Sequence, residues 1–224
     1  MLELGIKFLL SYFVGSVIGS ILVGKIRGGV DIRNMGSGNP GSTNALRTQG
    51  WTFALAVLAV DVSKGAIGAG VIPALVLPVI GNDLSISRVW LQLSCAAGAV
   101  VGHVWPIWHG FRGGKGAATL IGTLLVLAPS LILPVLLVWA WMITLFGYVG
   151  LATITAGLFA PLYLALTRLP DDEPLFVYTV VLSLYLVYSH RSNIQRMLAG
   201  TESQNTHLML FRRKRERDTS AGDD

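Results

Sequence analysis

Residues 116–167 read GAATLIGTLLVLAPSLILPVLLVWAWMITLFGYVGLATITAGLFAPLYLALT, 52 consecutive positions without one Asp, Glu, Lys or Arg. A helix needs roughly 17–25 residues to cross the hydrocarbon core of a bilayer. The run therefore holds two long spans or three short ones, with breaks expected near Pro129–Pro134 and Gly147–Gly150. The whole chain is consistent with a lipid solvent: 53% of its 224 residues are hydrophobic and 13% are charged, with mean hydropathy +0.63. A soluble domain carries roughly 25% charged residues, so the sequence is that of an integral membrane protein.

Four more uncharged stretches flank the run: Phe8–Gly24 and Gly65–Gly81, of 17 residues each, Val89–Phe111, of 23, and Leu175–Ser189. Charge fixes the count. Three spans in the long run give seven helices and put Lys25–Arg47, Arg112–Lys115 and Arg191–Arg217 on one face. Two spans would strand the tail, which holds seven of the 17 Lys and Arg residues after His190, opposite the other two basic loops. The far face then carries the acid-rich set Glu3, Lys7, Asp83, Arg88, Arg168, Asp171, Asp172 and Glu173. Basic loops stay cytoplasmic. The expected fold is an all-α polytopic membrane protein with seven transmembrane helices, N-terminus outside and C-terminus cytoplasmic. Residues 1–200 are expected to form one transmembrane domain, and 201–224 a disordered basic tail.

That tail, with RRKRER at Arg212–Arg217, is read as a cytoplasmic segment beside anionic lipid rather than a nucleic-acid binder. The N-terminus has a glutamate before its only lysine and no small-residue cleavage site, so the first run reads as a retained helix. Cys95 is the single cysteine and lies in an apolar run, so no internal disulfide forms.

Three polar segments share the basic face. GSGNPGSTNALR, Gly36–Arg47, packs three glycines, two serines, a threonine, two asparagines and a proline into its first nine residues. It reads as a tight turn, a linker, or a concavity of backbone N–H groups at Ser37, Gly38 and Gly41 that holds an anion. In the last reading Asn39 and Asn44 add donors, and Arg47 brings a fork suited to phosphate beside a helix start. GHVWPIWHGFRGGKGAAT, Gly102–Thr119, joins Gly113, Gly114 and Lys115 to a helix start, although it fails the P-loop spacing because Gly116 follows the lysine. His103 and His109 have no Asp, Glu or Cys beside them in this segment and read as structural. In SHRSNIQRMLAGTE, Ser189–Glu202, His190 and Asn193 are three apart and share a face if the last helix continues through them. Arg191 and Arg196 read as interfacial anchors. Asp61 and Lys64, in DVSKG, are read as a pair supporting the site, because ionisable groups at membrane depth pair or face a polar cavity. Thr153 and Thr155 most simply bond their own helix backbone.

Taken in order, GSGNPGSTNALR, DVSKG, GHVWPIWHGFRGGKGAAT and HRSNIQRML resemble the bacterial integral-membrane glycerol-3-phosphate acyltransferases that use acyl phosphate as donor. The resemblance spans Gly15 to Glu202. It implies transfer of a fatty acyl group to the sn-1 hydroxyl of glycerol 3-phosphate, at the cytoplasmic side of the bacterial inner membrane. It also implies no metal, no coenzyme A and no obligate protein partner. Arg47 and Lys115 would hold substrate phosphate, His190 and Asn193 would lie beside glycerol 3-phosphate, and the Ser37–Gly41 backbone would cradle acyl phosphate. Where the family carries serines after the tyrosine of the sixth span, this chain reads GYVGLATIT, which leaves Thr153 as the equivalent substrate-binding hydroxyl. Either His190 or a substrate phosphate oxygen would take the proton. The competing reading, an organic-phosphate transporter, lacks an inverted repeat and a polar path to the second face.

Overall fold

The computed structural model describes residues 1–78, 80–206 and 208–210, and among these the regular structure is helical throughout. The helices are α1 (Leu2–Gly15), α2 (Gly19–Ile26), α3 (Ser42–Gln49), α4 (Trp51–Ala66), α5 (Ile72–Ala74), α6 (Arg88–Val104), α7 (Ala117–Leu127), α8 (Pro129–Phe146), α9 (Val149–Thr167), α10 (Glu173–Ser189) and α11 (Arg191–Leu198). The basic run Arg212–Arg217, expected to be disordered, lies outside the described residues.

The long uncharged run divides into three helices, α7, α8 and α9, at Ala128 and at Gly147–Tyr148. Pro129 opens α8 at a position where its missing N–H has no partner to lose. By length and composition, three helices among the described residues qualify to cross a membrane: Trp51–Ala74, Pro129–Phe146 and Val149–Thr167. A fourth follows if α1 and α2, bent by 44°, count as one. α7 and α10 are shorter apolar helices. The outward side of the bundle suits lipid: Leu133, Leu137 and Trp141 form an i, i+4, i+8 stripe on α8, each more than 60% exposed.

One expected span is displaced. The uncharged run Gly65–Gly81 marks the expected span, whereas the helix that enters it, α4, starts at Trp51, and a π-helical stretch, Ile67–Val71, carries it into α5. Asp61 and Lys64 interrupt the run by their charge, but they pair at 2.9 Å inside the helix and so do not break it. The π-helical stretch leaves the Ala69 carbonyl to accept from Gln92 Nε2 at 2.9 Å, which ties this helix to α6.

Small residues set the helix spacing. α1 lies against α6 so closely that a Cβ on Gly15 would sit 2.1 Å from the Ala99 carbonyl oxygen, and one on Gly102 the same distance from that of Tyr12. α4 meets α7 in the same manner through Gly65 and Gly122. In lipid, where apolar burial supplies little drive for helix association, such close backbone approach is the main source of packing energy. α8, α9 and α10 form the other half of the bundle, and Ser183 Oγ on α10 donates to the Gly157 carbonyl of α9 at 2.6 Å.

One group of ion pairs lies at the helix ends away from the polar loops. Arg88 donates to both carboxylate oxygens of the buried Glu3, at 2.6 and 3.2 Å, and Lys7 bonds Glu3 at 2.8 Å. Arg168 pairs with Asp172 at 2.9 Å at the far end of α9, about 28 Å along the helix from its start at 1.5 Å per residue.

Candidate active site

One cavity of about 110 Å³ is lined by residues from all three polar segments. Of the side chains expected at the site, Ser37, Asn39, Gly41, Asn44, Arg47, Lys115, Thr153, His190 and Asn193 line it. Gly38, Gly113 and Gly114 do not. Gly113 and Gly114 line an adjoining cavity of about 400 Å³, which shares Asn39 and Lys115 with the first.

The first loop satisfies itself. Asn44 is buried, and its side chain accepts from Ser37 N–H at 3.0 Å while donating to the carbonyls of Ile32 and Met35, both at 3.0 Å. Gly38 N–H bonds the Met35 carbonyl at 3.0 Å, and Gly41 N–H bonds Asn39 Oδ1 at 2.9 Å. The backbone donors expected at Ser37, Gly38 and Gly41 are therefore already engaged, because a loop folded this tightly must meet its own N–H groups. Free donors come one step later. Ser42 and Thr43 open α3 and line the cavity, and their N–H groups have no partner among the described residues. The first N–H groups of a helix are unpaired by geometry and favour an anion. Arg47 sits in the last turn of α3 rather than at a helix start. Its exposed guanidinium makes no hydrogen bond or ion pair among the described residues.

The second loop is closed onto the end of α6. Gly113 and Gly114 N–H bond the carbonyls of Val104 and His103, at 3.0 and 3.1 Å. A Cβ on Gly114 would lie 2.1 Å from His103 Nε2, so glycine here makes room for the buried imidazole. Gly116, at φ +88°, turns the chain from Lys115 into α7. Lys115 is half buried, and burial, with the charges of Arg196, Arg47 and Arg191, brings its ammonium down to a pKa of about 8.

His190 and Asn193 both reach the cavity, although no single helix carries them: His190 is the junction between α10 and α11. His190 Nδ1 is 2.9 Å from the Leu186 carbonyl. A carbonyl only accepts, so Nδ1 carries the proton and Nε2 keeps its lone pair. Burial, reinforced by Lys115, lowers the imidazole pKa to about 4, which leaves it neutral near pH 7.

Asn193 links a chain of polar groups. Lys115 Nζ donates to Asn193 Oδ1, Asn193 Nδ2 donates to Glu202 at 2.8 Å, and Arg196 Nε donates to the other Glu202 oxygen at 2.6 Å. Arg196, read from sequence as an interfacial anchor, thus lines the cavity, and so does Glu202, beyond the expected domain boundary at 200. The signal for Glu202 was faint. Gly200, at φ +68°, turns the chain so that Glu202 N–H returns to the Arg196 carbonyl at 3.1 Å. Asp61 and His103 also line the cavity, which the supporting-pair reading of Asp61 anticipated in part.

Thr153 bonds its own helix at Val149, at 2.9 Å, and accepts from Trp139 Nε1 at 3.3 Å. Gly150, one of the positions without the family's hydroxyl, is packed against Asn193, whose side-chain atoms would come within 3.0 Å of an added Cβ. A larger residue at 150 would push Asn193 away from Lys115.

The sequence pattern of glycerol-3-phosphate acyltransferases matches residues 5–200. A glycerol-3-phosphate acyltransferase of Salinibacter ruber is 41% identical over 91% of this chain and 93% of its own length. One of Chlorobium luteolum is 34% identical over 88% and 94%. Among solved structures, the crystal structure of PlsY, an integral membrane glycerol 3-phosphate acyltransferase, in its glycerol 3-phosphate form superposes with a TM-score of 0.76, at 33% identity, over 90% of this chain and 94% of that one. Its lysophosphatidic acid form gives 0.75 at 31% identity with the same coverage. With pattern, relatives and fold in agreement over nearly its whole length, the chain belongs to the glycerol-3-phosphate acyltransferase family.

Proposed function

We propose that this enzyme transfers a fatty acyl group from acyl phosphate to the sn-1 hydroxyl of glycerol 3-phosphate, giving lysophosphatidic acid and inorganic phosphate. The observation that carries this reading is the meeting of Arg47, Lys115 and Arg196 with the free N–H groups of Ser42 and Thr43 in one cavity. Two anionic substrates repel, and Arg47 and Lys115 with a helix start offset that repulsion and hold the phosphates, while Arg196 is balanced by Glu202. Acyl phosphate is a mixed anhydride with a good leaving group, so the protein need supply no covalent nucleophile. Positioning of the reactants can supply up to roughly 7–11 kcal/mol of the barrier.

In the reaction the glycerol hydroxyl oxygen attacks the acyl carbonyl carbon, the bond from that carbon to the phosphate oxygen breaks, and phosphate departs. His190 Nε2 accepts a hydrogen bond from the attacking hydroxyl and orients it. The proton itself goes to the phosphate, because an imidazole held at about 4 is a weaker base than a phosphate whose second pKa is about 6. Palmitoyl phosphate is expected to support turnover in detergent, palmitoyl-CoA is not, and chelators should have no effect. Robust activity with palmitoyl-CoA would overturn the donor assignment.

The same reading puts residues 1–202 in one catalytic unit that crosses the bacterial inner membrane seven times, with the N-terminus outside and the cavity on the cytoplasmic side. It is supported by basic side chains clustered at the cavity end and by the Glu3–Arg88 and Arg168–Asp172 pairs at the other end. In intact cells a membrane-impermeant thiol reagent should label Asp172→Cys and spare Gly38→Cys. Labelling of both would remove the seven-span arrangement.

A further inference from the structure

A carboxylate on the cavity wall has one oxygen with nothing bonded to it. Asp61 is fully buried in α4, and its Oδ1 lies 2.9 Å from Lys64 Nζ and accepts the Gly19 N–H at 3.2 Å. Its Oδ2 has no hydrogen-bond partner among the described residues, yet the residue lines the cavity. His103 Nδ1 is 3.5 Å from Oδ1, too far for a good hydrogen bond, and is likewise without a partner. A buried carboxylate oxygen left without a donor is strongly unfavourable. Both donors go to Oδ1, and Oδ2 is left with none on a residue that lines the cavity.

Charge narrows what fits there. Lys64 balances Asp61 locally and donates to the Val17 carbonyl at 2.7 Å, so both ends of the pair are anchored. A second cation is therefore not required, and a phosphate would meet a carboxylate oxygen. A neutral donor suits the position, and a hydroxyl is the neutral donor that an alcohol substrate brings.

We propose that Asp61 Oδ2 accepts a hydrogen bond from the C2 hydroxyl of glycerol 3-phosphate, which makes Asp61 a specificity-determining residue. This rests on the reading of glycerol 3-phosphate as the acyl acceptor. Of the two hydroxyls, the C1 oxygen must stand against the acyl carbonyl, so the C2 hydroxyl is the one left to turn toward the cavity wall. Holding it also sets which hydroxyl faces the acyl group. A site built to bond a substrate hydroxyl discriminates against the analogue that lacks it, because the buried acceptor is then left unpaired.

The test compares glycerol 3-phosphate with 3-hydroxypropyl phosphate, which keeps the phosphate and the terminal hydroxyl but lacks the C2 hydroxyl. The wild-type enzyme in detergent, with palmitoyl phosphate as donor, should show kcat/KM at least about tenfold lower for the analogue, the size of one charge-assisted hydrogen bond. Asp61→Asn should lower kcat/KM for glycerol 3-phosphate by a similar factor while changing it less than about threefold for the analogue, so the ratio collapses. The paired variant Asp61→Asn/Lys64→Met, which removes both buried charges together, serves if the single variant does not fold. Equal wild-type rates with the two acceptors overturn the proposal. So does a variant that slows both acceptors by the same factor, which is the signature of a structural ion pair or of a bound water on Oδ2. A wild-type enzyme that does not acylate glycerol 3-phosphate at all would instead sink the acceptor assignment itself.

Discussion

Lys115→Ala and Arg47→Ala should each lower kcat/KM for glycerol 3-phosphate by about tenfold to a hundredfold. Charge-assisted hydrogen bonds contribute roughly 1.5–3 kcal/mol each, and about 1.4 kcal/mol is a factor of ten. The two residues differ in their starting state. Arg47 has no partner among the described residues and lies on the cavity rim, so its loss should leave the melting temperature in detergent unchanged. Arg47→Lys should rescue in part, since an ammonium cannot reproduce the planar fork. Lys115 also carries a pH signature. Burial and the neighbouring arginines place its pKa at about 8, and the cationic form is the one that binds phosphate. Wild-type kcat/KM should therefore hold below that pH and fall as pH rises through it, and Lys115→Ala should lose that alkaline limb. Variants that fold normally and keep near-full activity would end the phosphate-cavity reading.

Gly122→Ala is expected to destabilise the bundle strongly. Its Cβ would lie 2.0 Å from the Val62 carbonyl oxygen and 2.9 Å from the carbonyl carbon, on the seam where α7 packs against α4. Overpacking usually costs about 1–3 kcal/mol when side chains can give way. Here the obstacle is backbone, and the helices themselves must part. The gain in helix propensity from glycine to alanine, about 1 kcal/mol, is too small to compensate. A lower melting temperature in detergent and a poor yield should result. Activity should fall as well, since α4 carries Asp61 and the loop before α7 carries Lys115. Gly5→Ala is the control, because nothing lies within 4 Å of its added Cβ. If Gly122→Ala melts as high as Gly5→Ala, the α4–α7 seam is looser than described.

The two predictions draw on different levels of the molecule, and so does the question of what could be read in advance. The solvent of the fold was legible because hydropathy is local: Gly116–Thr167 carries no charge, and it folds as three helices broken near the expected proline and glycine. The polar chemistry was legible for a similar reason. Arg47, Lys115, His190 and Asn193 stand in segments whose composition is out of place in a membrane chain, and the cavity brings all four together. Asp61 and Lys64, by contrast, cut the second uncharged run short of the helix that holds it, since a charge count along the chain cannot see a pair that neutralises itself within the helix.

What only the tertiary structure decided is which groups remain free. The donors of Ser37, Gly38 and Gly41 looked available from the sequence, but Asn39, Asn44 and the Met35 carbonyl take them up, and the open N–H groups belong to Ser42 and Thr43 instead. Glu202 joins the site because Gly200 turns the chain back, and Gly114 is needed because a buried imidazole from another helix occupies the space of its side chain. Composition fixes what a residue can donate or accept. Whether that capacity is already spent depends on partners brought in from elsewhere in the chain, and only folding sets those distances.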